Sequence, residues 1–198
     1  MTIQEQLLTL QWAQLKHDED YHKDIVLLPP ASRVRHMALH NTKYTGYLFD
    51  AVETHDEIRF MKILTDAFII TLASANTLNQ DLGGELGGEA DGAPTLLAFG
   101  RSLADSLPRD PSDPLWLVRQ FARHNGRLAK VCESWDHLEP IPFADTMKSC
   151  NALICKAVLA EAGARKFDLV AAYETRIREV EARSIFDLKF REDAGGEA

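Results

Sequence analysis

The stretch Val34-Arg35-His36-Met37-Ala38-Leu39-His40-Asn41-Thr42-Lys43 returns without a gap as Val118-Arg119-Gln120-Phe121-Ala122-Arg123-His124-Asn125-Gly126-Arg127. Valine, arginine, alanine, histidine and asparagine keep their places. A helical period alone would reproduce apolar positions, but it does not demand a polar His-Asn pair at one register. Later landmarks return in the same order: Leu72-Ala73-Ser74-Ala75 as Leu159-Ala160-Glu161-Ala162, and Asp81-Leu82 as Asp168-Leu169. The small change of register between these matches can be absorbed in an inter-helix loop. The chain therefore reads as one helical unit used twice. A lone two-helix hairpin leaves too much apolar surface in water, whereas two of them pack into a four-helix bundle, so the expected fold is an all-α bundle of two repeated units.

Local signals fill in this scheme. Thr2 and Glu5 have capping-box spacing, and Leu8, Trp12 and Leu15 recur at helical intervals until Pro29 and Pro30 stop the segment. Ser32 is a candidate cap for a second helix marked by Val34, Met37, Ala38, Asn41, Leu48 and Val52. Thr54 and Glu57 suggest a second capping box, opening a third helix through Ile58, Met61, Leu64, Phe68, Leu72 and Ala75. Gly83 to Pro94, rich in glycine and acid, reads as a mobile linker. A short helix from about Pro94 to Ser106 follows. Asp113 before Pro114 then predicts a helix start, with the helix running towards Glu139. Beyond Pro140 and Pro142 come a helix through Met147, Cys150, Ile154 and Val158, and a last one capped by Asp168. The tail after Asp193 is expected to fray. These signals divide the chain into an N-terminal helix (1–30), a first hairpin (31–82), a linker with a short helix (83–113) and a second unit (114–190).

A hydrophobic fraction of 45% over 198 residues is enough for a proper core. No apolar run is long enough to cross a bilayer, and the start lacks a basic, apolar leader, so a cytoplasmic protein without membrane contact is expected. Cys132, Cys150 and Cys155 form no CxxC pair and read as small buried side chains. The net charge of −8 opposes general nucleic-acid binding, which needs a basic surface.

Met61 to Leu82 (MKILTDAFIITLASANTLNQDL), together with Gly126 to Glu139 and Ala157 to Arg183, resembles the MazG-like, all-α NTP pyrophosphohydrolase superfamily. The shared pattern is a hairpin, an alanine-rich second helix, an Asn or Gly turn, then Asp-Leu and a charged helix. The resemblance implies a helical bundle that hydrolyses nucleoside triphosphates to monophosphate and pyrophosphate with Mg²⁺. In that family, Glu-Glu-x-x-Glu on one helix and Glu-x-x-Asp on the next hold the cation, a hard ion that wants oxygen ligands. In the register set by Gly126, those glutamates fall at Arg123, His124 and Arg127, and in the first half at Leu39, His40 and Lys43. A register set by Gly46 puts Lys43, Tyr44 and Tyr47 there instead. On the second helix only Asp66 survives, beside Ile63, and the other half has Cys150 and Leu153. Neither register restores a metal site.

The replacements are basic or neutral. Arg119, Arg123, Arg127 and Lys130 recur along one helix face, with Arg35 and Lys43 at equivalent places in the first half. Together with His40 and His124 they form a candidate phosphate-binding set, since guanidinium and ammonium groups hold phosphate through charge-assisted hydrogen bonds. The bland alternative is a solvated or salt-bridged helix face. His36 and His40 have metal-ligand spacing, but a buried polar pair explains them as well. Glu53, Asp56, Glu57 and Asp66 are the alternative acids for a displaced Mg²⁺ site, though capping and solvation account for the first three. Asp66 is also the one residue offered as catalytic. The leading expectation is a degenerate MazG-like protein that needs no cofactor and binds a nucleotide or other phosphorylated molecule, or acts in assembly. Its rivals are a working Mg²⁺-dependent pyrophosphohydrolase and a purely structural interaction module. Homodimerisation or a protein partner follows if the bundle leaves an apolar face uncovered.

Overall fold

The computed structural model describes residues 1–88, 90 and 92–184. Among them the chain is all-helical: α1 (Ile3–Tyr21), α2 (Lys23–Val26), α3 (Pro30–Glu53), α4 (Glu57–Thr77), α5 (Leu82–Gly87), α6 (Leu96–Ser106), α7 (Trp116–Asp136), α8 (Phe143–Ala164) and α9 (Leu169–Glu181). None of these helices is long and apolar enough to cross a membrane.

Two hairpins, α3–α4 and α7–α8, make the centre, with α3 packed on α7 and α4 on α8. Outer helices complete each half: α1 lies on α4, and α6 lies on α8. The short helix after each hairpin crosses to the other one, α5 reaching α8 and α9 reaching α4. Phe60, Phe68, Phe99 and Phe121 are among the largest fully buried side chains. Each contributes roughly 2–3 kcal/mol by leaving water. A second, smaller core joins Val34 and Ala38 of α3 to Leu128, Val131 and Cys132 of α7 and Met147 and Cys150 of α8. Asn41 and Asn125 are both buried, and the Asn125 amide donates to the Thr42 hydroxyl across the α3–α7 seam at 2.7 Å. Asn125 thus ties α7 to α3, while the Asn41 amide oxygen is buried with no partner among the described residues. All three cysteines are buried thiols without a disulfide, and burial pushes Cys155 up to about 12.

The Thr2–Glu5 capping box is present in both directions. Other boundaries differ from the sequence expectations for local reasons. The first helix stops at Tyr21, eight residues before Pro29, because His22 leaves the helical region (φ −129°, ψ 41°) and a short turn of helix follows. The next helix starts at Pro30, earlier than a Ser32 cap implies, since proline at the first position needs no N–H partner. Thr54 closes α3, donating its hydroxyl to the Asp50 carbonyl, and the neighbouring Asp56 caps α4 instead. Asp113 does accept from Leu115, but the helix proper begins at Trp116 and ends at Asp136, short of Glu139. The glycine-rich linker is partly ordered: Asp81 caps α5, and Gly83 sits so close to the Gln4 backbone that a side chain would collide with it. Asp168 caps α9 as expected, and the tail after Asp193 lies outside the described residues.

Candidate functional site

The first hairpin carries a cavity of about 380 Å³, enclosed by α1, the α1–α2 break, α3, α4 and α9. Its polar lining is His17, Asp18 and His22 at one end and His36, His40, Lys43 and Tyr44 on α3, with Asp66 of α4 and Arg176 of α9. Apolar walls come from Ile63, Ile69, Ile70 and Ile177.

Asp66 is not open to a cation. Arg176 grips it as a fork, Nε to Oδ1 at 2.6 Å and Nη2 to Oδ2 at 3.3 Å, and also reaches Glu179. Beside this pair, α3 carries a hydrogen-bonded chain. The Lys43 ammonium, which can only donate, lies 3.2 Å from His40 Nδ1, and the Tyr44 hydroxyl lies 3.3 Å from the same nitrogen. His40 Nδ1 is therefore the acceptor and its Nε2–H the donor, which gives it to His36 Nε2 at 3.0 Å. Burial, reinforced by the Lys43 charge, pushes His40 down to about 4, in keeping with a neutral ring. Burial, with the field of Asp66, raises the Tyr44 phenol far above its usual range.

The other end is built on α1. His17 Nδ1 lies 3.4 Å from a Glu181 carboxylate oxygen, and its ring stacks on Tyr21. Gln14 donates to Asp18 at 2.8 Å, while its own carbonyl oxygen is buried with no partner among the described residues. Burial raises the Asp18 carboxyl and lowers the His17 imidazole, with the hydrogen bonds from Gln14 and to Glu181 opposing each shift.

Of the phosphate candidates, the cavity gathers His40 and Lys43. The others lie elsewhere. Arg35 is paired with Asp136, Arg119 with Asp113, and Lys130 with Glu133 at 2.8 Å and Glu139 at 3.2 Å. Arg119, Arg123 and His124 line a second pocket, of about 440 Å³, on the second hairpin. Arg123 and Arg127 are exposed and make no ion pair among the described residues. The alternative acids do not gather into a metal-holding group with Asp66: Asp56 caps α4, Glu57 pairs with Arg165 at 2.5 Å, and Glu53 is exposed. Sequence reasoning missed His17, His22, Arg33 and Arg176. His17-Asp18 followed by His22 was a visible cluster, but an unbroken helix would have separated the two histidines, and nothing local announced the break. No family model, curated protein or solved structure matches this chain.

Proposed function

We propose that this chain is a tandem MazG-like protein that has lost the acids for Mg²⁺ and uses its first-hairpin cavity to hold a nucleotide or another small phosphorylated molecule. The pairing of Asp66 with Arg176 supports this most directly. The one acid remaining at a family metal position is neutralised by a guanidinium from the other half of the chain, so a divalent cation would first have to break a bidentate ion pair. Lys43 and Arg33 supply positive charge at the cavity without a carboxylate partner among the described residues, and the Arg33 Nε is buried and unpartnered. A phosphate oxygen is the acceptor such groups lack. The cavity volume of about 380 Å³ falls in the usual range for small-molecule sites, and its isoleucine walls suit the flat face of a base or sugar.

Melting curves of the protein with each nucleoside triphosphate and with inorganic phosphate, in chelator and then in Mg²⁺ or Mn²⁺, test the reading. A ligand that binds only the folded state must raise the melting temperature. The expected result is a metal-independent rise with at least one triphosphate, with affinity falling about tenfold in Lys43→Ala, the cost of one charge-assisted contact. Release of pyrophosphate that disappears in Asp66→Ala would instead make the protein a working hydrolase. No shift with any phosphate compound would leave the structural-module reading standing.

A further inference from the structure

We propose that His17, Asp18 and His22 form a binding site for a first-row divalent transition metal of the zinc, cobalt and nickel class, at the end of the cavity where α1 breaks. One donor atom from each residue lies within 4.8 Å of the other two, and no other trio of His, Cys, Asp or Glu does so among the described residues. Asp18 and His22, four apart, share a helix face, but five positions of regular helix would turn His17 and His22 about 140° away from each other. The helix does not continue that far. His22 takes φ −129° and ψ 41°, and its ring comes edge-on to His17 with centroids 5.4 Å apart. The break that ends α1 is also what assembles the trio.

The surroundings are those of a ligating group. With His17 Nδ1 on the Glu181 carboxylate, its proton sits on that side and the Nε2 lone pair is left for a metal, the carboxylate–histidine arrangement that orients metal-bound imidazoles. Gln14 holds one Asp18 oxygen. Its own carbonyl oxygen lines the cavity on a residue only 1% exposed and has no partner among the described residues, so it lacks the donor that a metal-bound water would supply. The Tyr173 hydroxyl, buried beside this cluster, is likewise without a partner there. The second histidine pair cannot compete in the same way, because His36 Nε2 is already occupied by the proton from His40.

Two imidazoles and one carboxylate suit zinc, cobalt or nickel and disfavour Mg²⁺, which prefers oxygen throughout. Metal bonds of about 2.0–2.2 Å would draw the donors together by roughly an ångström, a rotation the half-buried His22 can make at a helix end. Three protein ligands leave coordination positions facing the cavity, open to water or to an anionic molecule. The assignment goes beyond the phosphate reading and stands without it.

Untagged protein, stripped with chelator and kept free of nucleotide, is titrated with Co²⁺ while visible ligand-field absorption is followed, then with Zn²⁺ in competition. One equivalent per chain is expected, displaced by Zn²⁺. His22→Gln and Asp18→Asn, which keep volume and shape, should each weaken binding by about tenfold or more, while His36→Ala leaves it unchanged. Far-UV circular dichroism of each variant establishes that the helices remain. Absence of saturable absorption in the parent protein would overturn the site. Full binding by both folded variants would do the same, as would a loss in His36→Ala equal to that in His22→Gln.

Discussion

The two hairpins use their outer helices differently, and the pockets beside them have different walls: α1, α3, α4 and α9 line about 380 Å³ at the first, while Trp116, Arg119, Arg123 and His124 line about 440 Å³ at the second. In the register of the repeat, Asn76 of α4 stands where Gly163 of α8 stands. In the first half, the Asn76 amide donates to the Gln11 carbonyl of α1 at 2.8 Å, so a side chain spaces the two helices. In the second half, Gly163 meets Gly100 of α6 backbone to backbone: a methyl group on Gly163 would collide with the Gly100 and Arg101 backbone, and one on Gly100 with the Leu159 carbonyl. Length adds to the effect. With 19 residues, α1 runs on past the contact and adds Gln14, His17 and Asp18 to the first pocket, whereas α6 stops after 11 and the loop that follows it, through Leu107, Pro108, Asp110 and Asp113, lines the second. What covers a hairpin thus decides which side chains its pocket presents.

Gly163→Ala breaks this comparison most severely. A Cβ there must push two packed helices apart, and cores resist such overpacking, so a loss of about 3–5 kcal/mol is expected in urea unfolding. Asn76→Ala, which removes only a side-chain hydrogen bond at the equivalent place, should cost about 1 kcal/mol. Equal losses would mean that the two contacts are not counterparts.

Two residues earlier the halves differ again, Ser74 against Glu161. Glu161 is 2% exposed and holds Arg109 at 3.1 Å and Arg165 at 2.6 Å; Arg165 also lies over the Phe60 ring. Removing the carboxylate in Glu161→Ala strands the partly buried Arg109 and leaves Arg165 with Glu57 alone, at a cost of about 3 kcal/mol. The Ser74 hydroxyl is buried with no partner among the described residues, so Ser74→Ala should be neutral within about 0.5 kcal/mol or slightly stabilising. Unfolding midpoints of the two variants side by side decide it.

These contrasts mark how far the sequence could be read. Helical period, the Thr2 and Asp168 caps and the apolar faces located the long helices, because each signal acts within a turn or two of chain. The shared His-Asn pair was legible as something a helical period does not require, but only Asn125 bonds across the seam, to Thr42. The cavity was not legible. Its walls come from five helices, and its acid, Asp66, is answered by Arg176 from 110 residues away. The basic stripe of α7 looked like a phosphate surface, yet Arg119 and Lys130 are held by nearby acids that only the folded loops bring round. The broken end of α1 was missed because a histidine at a helix end has no fixed conformational signature.

A pH-dependent contrast concerns the two histidines His40 and His124. Burial and Lys43 hold His40 down to about 4; burial with Arg123 and Arg127 also lowers His124. In both cases the unfolded chain binds a proton that the folded one refuses, so stability is full above roughly pH 6.5 and is lost as the pH falls towards the folded value. For His40 that window closes near pH 4, below which both states carry the proton and the slope ends. His40→Gln should therefore flatten the acid limb by about 1–2 kcal/mol after allowance for screening at the cavity. His124→Gln should flatten it less. His17 is lowered in the same direction and contributes to the slope that remains in both variants. Urea midpoints measured from pH 7 to pH 4 separate the cases: if His124→Gln flattens the limb as much as His40→Gln does, burial beside Lys43 does not set His40 apart.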